Sequence, residues 1–149
     1  MTDYKFQGII VDIKADNSHA SARVYTSLDN ANLDNGKTQI SAGALVIASA
    51  NDLTKLDVAT TGSTAVLGVA TQDRAVGDSR PLTYTRLGLV HMIKDAAALP
   101  AGAKVIPSTQ GTIKAATNSD ADSLLTIGRC VEGSAAVVGG EVVTVQLIL

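Results

Sequence analysis

The chain has 149 residues, a formal net charge of −2 and four aromatic residues, Tyr4, Phe6, Tyr25 and Tyr84. That length fits one domain whose core needs neither disulfide nor metal. The lack of any Lys/Arg cluster excludes a phosphate-neutralising face, so nucleic acid is not an expected partner.

Cys130 stands alone, which rules out an internal disulfide framework and suits folding in a reducing cytoplasm. No apolar run approaches the ~20 residues of a membrane helix, so no membrane partner is expected. The longest run, 42–50, is interrupted by Gly43 and Ser49. Residues 1–5 show no basic-then-apolar leader pattern, and secretion is not expected.

With so few aromatics, Ala, Val, Ile, Leu and Thr must fill the core. β-branched residues favour pleated, half-buried surfaces, and the Gly, Ser, Asn and Asp residues between short apolar runs supply turns. The chain therefore reads as all-β with little helix. Residues 6–13 are strand-like, 20–28 read equally as a short helix or a strand, and Leu33-Asp34-Asn35-Gly36 carries an Asn-Gly turn signal.

Beyond residue 40 two stretches resemble each other in order. Ala42-Gly43-Ala44-Leu45-Val46-Ile47 is matched by Ala101-Gly102-Ala103-Lys104-Val105-Ile106, and Lys55-Leu56-Asp57-Val58-Ala59-Thr60 by Ile113-Lys114-Ala115-Ala116-Thr117. Val66-Leu67-Gly68-Val69-Ala70 is matched by Thr126-Ile127-Gly128-Arg129-Cys130, and Pro81-Leu82-Thr83-Tyr84 by Val142-Val143-Thr144-Val145. The offset drifts only between 57 and 61 residues, so insertions fall in loops. Each copy reads as a strand opening with Ala-Gly-Ala, a turn, a returning strand, a strand centred on Gly and a closing strand.

Four short strands cannot bury a face alone, but two copies packed together can. The expectation is a compact β-barrel or β-sandwich of two four-strand repeats, 41–87 and 100–149, with residues 1–40 as an N-terminal arm or extension. Between the copies Leu87-Gly88-Leu89-Val90-His91-Met92-Ile93 alternates as a strand with Leu87, Leu89, His91 and Ile93 on one face. Ala96-Ala97-Ala98 reads as one helical turn closed by Pro100.

Laid out this way, residues 40–149 resemble the head-decoration, or capsid cement, proteins of tailed bacteriophages. The likeness rests on Ala42-Gly43-Ala44-Leu45-Val46, Val66-Leu67-Gly68-Val69-Ala70, Gly77-Asp78 and Leu82-Thr83-Tyr84. In the second copy it rests on Ala101-Gly102-Ala103-Lys104-Val105, Gln110-Gly111-Thr112-Ile113, Ile127-Gly128 and Gly139-Gly140-Glu141-Val142-Val143-Thr144-Val145. The chain departs from the family at Ala44 and Ala103, where an acidic residue usually follows the glycine. The resemblance implies a structural virion protein, made in the host cytoplasm, that binds the major capsid protein on the outside of the assembled shell. It also implies self-association, with a homotrimer favoured over a dimer. A carbohydrate- or receptor-binding β-module of a phage fibre or head appendage is the alternative, although sugar sites usually need aromatic platforms that this chain hardly supplies.

No set of side chains points to catalysis. Gly77-Asp78-Ser79 with Asp16 and His19 has the chain order of Gly-Asp-Ser hydrolases reversed, and that site needs an α/β scaffold. The Asp/Asn run 29–36 lacks the Gly and Glu that a calcium loop places at its sixth and twelfth positions. His19, His91 and Cys130 do not make a zinc set, and no glycine pattern cradles phosphate. No catalytic residue, cofactor or metal is therefore expected. Cys130 reads as a small buried apolar residue, and His91 as a hydrogen-bonded or surface side chain. If residues 1–40 hold an arm that contacts the capsid or a neighbouring subunit, its anchors are Tyr4, Phe6, Ile9 and Ile10, because aromatic and aliphatic side chains carry most interface energy.

Overall fold

The computed structural model describes residues 19–24, 39–50, 55–75, 80–118 and 124–149. It is all-β. Ten strands run in chain order as β1 His19–Val24, β2 Leu45–Ala48, β3 Lys55–Val58, β4 Val66–Ala70 and β5 Pro81–Thr85, then β6 Leu87–Ile93, β7 Lys104–Pro107, β8 Ile113–Ala115, β9 Gly128–Glu132 and β10 Val142–Ile148. The first five close into a barrel in the order β1-β3-β2-β4-β5, and the second five form a sheet in the order β6-β10-β9-β7-β8.

The two orders are the same once β1 is set against β6. In each unit the middle strand pairs antiparallel with the strand that follows it, as β2 with β3 and β7 with β8. It also pairs with the next, as β2 with β4 and β7 with β9. The last strand of each unit then pairs antiparallel with the first, β5 with β1 and β10 with β6. In the first unit a parallel ladder, Arg23 to Lys55 and Val24 to Leu56, completes the barrel. In the second the corresponding contact is a single parallel bridge, Lys94 to Ile113.

Each four-strand set expected from the sequence thus gains a fifth strand. Leu87–Ile93, which reads in the sequence as a link between copies, opens the second unit. The stretch 20–28, open between helix and strand, holds most of β1, which is a strand of the barrel. Ile40 is buried as well, and it exchanges backbone bonds of 2.9 and 2.7 Å with Arg74. Leu99 and Ser134 form the same bridge in the second unit at 2.8 and 2.9 Å.

The Ala-Gly pairs precede the strands and do not open them. Ala44 N–H donates to the Ser41 carbonyl and Ala103 N–H to the Pro100 carbonyl, closing β-turns whose third residues are Gly43 (φ 88°) and Gly102 (φ 85°). That position of a type II turn needs positive φ, which only glycine adopts without strain. The glycines inside β4 and β9 have another cause. A Cβ on Gly68 would collide with the Thr85 carbonyl of β5, and one on Gly128 with the Gln146 carbonyl of β10.

Residues 96–98 form no helical turn. The Asp95 carboxylate accepts a bond from Ala97 N–H at 2.8 Å, and the Lys94 ammonium takes the Asp95 and Ala97 carbonyls at 3.1 Å each. These are the backbone groups that a helical turn would use, and local side chains outcompete it. The one 3-10 turn with described bounds, Thr109–Gly111, sits where the sequence indicates a turn, with Gln110 (φ 51°) and Gly111 (φ 77°) left-handed.

The alternation of strand side chains divides the core. Val46 and Ala70 point into the barrel with Ile40, Leu56, Val58 and Leu82. Their neighbours Leu45 and Val69 join Met92, Leu99, Val105, Ile113 and Val145 in a second cluster. The units are thereby packed as one body, and Gly111 N–H donates to the Ala59 carbonyl at 2.7 Å across them.

Candidate interaction surface

Antiparallel β6 and β10 are in continuous register, Val142 opposite Ile93 through Ile148 opposite Leu87. Because side chains alternate across a strand, one face of this ribbon carries Leu87, Leu89, His91 and Ile93 beside Val142, Thr144, Gln146 and Ile148. The other face carries Met92, Val143, Val145 and Leu147, all in the core. The outward aliphatics stay in solvent, with Leu87 53%, Leu89 64%, Val142 64% and Ile148 63% exposed. Val131 on neighbouring β9 adds a further half-exposed side chain.

This outer face holds no Asp, Glu, Lys or Arg side chain on β6 or β10. Two of its polar members face one another, with Thr144 Oγ1 3.4 Å from His91 Nδ1, and the third, Gln146, stands opposite Leu89. Exposed aliphatic side chains gathered on one face of a sheet, as Leu87, Leu89 and Ile148 are here, are characteristic of an interaction site.

Beside β6 lies a groove of about 520 Å³. One wall is built from β6, and the other from the Ala42-Gly43 turn, the end of β4 at Val69 and Ala70, the following Thr71, and Thr85. Gly43 permits the walls to approach, since a Cβ there would stand 3.0 Å from the His91 carbonyl oxygen.

At the far end of β6, Lys94 is fully buried. Its ammonium donates to the carbonyls of Val138 at 2.7 Å and Ala136 at 2.8 Å, in addition to those of Asp95 and Ala97. Four carbonyl dipoles thus surround one cation, ordering the loop before β10. In the same loop Ser134 Oγ donates to the Glu141 carboxylate. Asp95 also accepts the Ser108 hydroxyl at 2.6 Å. This cluster is a structural knot.

The residues singled out from the sequence fare differently. Tyr4, Phe6, Ile9 and Ile10 lie outside the described residues, as do Gly77-Asp78-Ser79 and the Asp/Asn run at 29–36. His91 sits at the surface, on the outer face of β6. Among the described residues no group of three or more His, Cys, Asp or Glu side chains could hold a metal ion. Cys130 is a buried free thiol, and burial pushes its pKa up. The patch itself is half visible in the sequence. The alternation at 87–93 is legible locally, but its continuation onto Val142 and Ile148 needs the β6–β10 pairing.

No protein-family model matches the chain, and no curated protein matches it. Among solved structures it is similar to the head fiber gp8.5 N base of bacteriophage phi29. The TM-score is 0.62 and the identity 18%, covering 87% of this chain and 92% of that one. The shared feature is the fold.

Proposed function

We propose that this protein is a non-enzymatic structural component of a phage virion, seated on the outer surface of the head. The observation that carries the reading is the likeness of almost its whole length to a phage head fiber base. A module of that fold needs a rigid body and a contact face, and the uncharged patch on β6 and β10 is suited to the second task.

In this reading Val142, Ile148 and Leu87 meet the major capsid protein or a neighbouring copy. A homotrimer would multiply weak contacts into lasting attachment. The protein then acts as a cement that stiffens the shell, or as the base that fastens a longer appendage to it. The neighbour favours the base, and the sequence resemblance favours the cement.

Co-sedimentation with expanded capsids lacking this protein tests the reading, with unexpanded procapsids as control. Saturable binding to expanded shells supports it, and a rise in the shell's disruption temperature on binding separates cement from base. If neither shell pellets the protein, the head-surface reading is wrong, and glycan binding is the next assay.

A further inference from the structure

We propose that the outer face of β7 and β9 carries a carboxylate-binding pocket whose two cations are Lys104 and Arg129. The pocket stands apart from the virion reading; only the source of its carboxylate rests on that reading.

Lys104, Lys114 and Arg129 are scattered in the sequence, and strand pairing collects them. Lys104 on β7 stands directly opposite Arg129 on β9. Lys114 on β8 stands opposite Ile106, two residues along from Lys104 and therefore on the same face. A chain of net charge −2 thus gathers three of its 12 Lys and Arg residues on one side of one sheet. Side chains directly opposite on antiparallel strands lie ~5 Å apart at Cβ, and like charges there oppose the pairing. An anion held between Lys104 and Arg129 reverses that effect.

The geometry selects an oxyanion with two acceptor oxygens. Arg129 Nη1 donates to the Gly102 carbonyl at 3.0 Å. Gly102 is itself fixed, because it sits in the turn before β7 and its N–H donates to the Cys130 carbonyl at 2.8 Å. The guanidinium plane is thereby anchored at one edge. Its other edge, Nε with Nη2, is the side-on donor pair that takes both oxygens of a carboxylate. Lys104 and Arg129 line a pocket of about 420 Å³ together with Thr117 and Asn118, which bring a hydroxyl and a carboxamide. No Asp or Glu is among the described residues that line it.

The surroundings indicate what carries the carboxylate. The cross-strand row that holds the two cations continues from Arg129 to Gln146 on β10, and from Gln146 to Leu89 on β6. One face of the sheet therefore passes from cationic to exposed aliphatic. A free small acid uses the first half alone, whereas an Asp or Glu on a protein surface, flanked by apolar neighbours, uses both. A single exposed ion pair is weak, and repetition over a shell makes such contacts count.

Titration of the full chain with glutarate tests the pocket, with phosphate as a second probe and sodium chloride holding the ionic strength constant. The expected result is saturable movement of the Arg129 Nε–H and Gly102 amide NMR signals with glutarate. The apparent affinity should fall at least tenfold in Lys104→Gln and, read at Gly102, in Arg129→Gln. Both residues are exposed, and the core amides of Met92 and Val143 should keep their positions and report an intact fold. No saturable movement with glutarate, movement with phosphate alone, or equal affinity in both variants would each overturn the proposal. Expanded shells then identify the source. Saturating glutarate should weaken binding of the wild-type protein to them at least tenfold, and undiminished binding would overturn the protein source and assign the pocket to a free small acid. Wild-type protein that binds no shell overturns the virion reading and leaves the glutarate result standing.

Discussion

The Lys94 ammonium lies 2.7 Å from the carbonyl oxygen of Val138, forty-four residues further along the chain. The contact ties the end of β6 to the loop that leads into β10, and three further carbonyls share the same cation. A charge that is wholly out of water is tolerated only when its donors are matched in this way.

Lys94→Met keeps the stem but strands four carbonyls. The expected loss is about 3 kcal/mol of unfolding free energy, read from urea denaturation. A loss below ~1 kcal/mol would mean that water replaces the ammonium without cost.

Gly68→Ala and Gly128→Ala each drive a methyl into a strand carbonyl, at Thr85 and Gln146. Each should cost roughly 3 kcal/mol, because backbone cannot yield as a side-chain tip does. Gly62→Ala is the contrast: its φ is 83° but nothing stands within 4 Å, so only the backbone strain of about 1 kcal/mol remains. Thermal unfolding should place the first two well below the third.

The buried Cys130 thiol should resist a disulfide reagent in the native protein and react at once in denaturant. Its pKa is raised by desolvation, so the folded state holds the proton more tightly than the unfolded one. The sign follows: its contribution to stability is complete below the ordinary thiol pKa and is lost as pH rises toward the raised folded value. Cys130→Ala should therefore flatten the alkaline limb of stability against pH, and an unchanged limb would contradict the assignment.

Val142→Asp and Ile148→Asp place charges on the exposed side of β10, where no core contact is broken. The melting temperature should move little, while binding to expanded shells, or self-association read by sedimentation, should fall at least tenfold. Retained binding in both variants would remove this face from the interface.

Much of this protein is legible without coordinates. Period-2 alternation and β-branched composition identify strands at 45–48, 66–70, 87–93 and 142–148, because side-chain direction in a strand is a local property. The positive-φ demand at Gly43 and Gly102 is local too, although their turn lies before the strand. What the sequence could not carry was partnership. That β6 stands to its unit as β1 stands to the barrel depends on pairings, Leu87 with Ile148 and His19 with Thr85, that join residues sixty or more apart. The failed helical turn at 96–98 shows the same limit: Lys94 and Asp95 claim its backbone groups only because the loop at 136–138 closes over them. The surface followed from the same pairings, since Leu87 and Ile148 stand together only after β6 and β10 are side by side. Local chemistry decided which segments are strands, and long-range hydrogen bonding decided which edges and faces remain for another chain to meet.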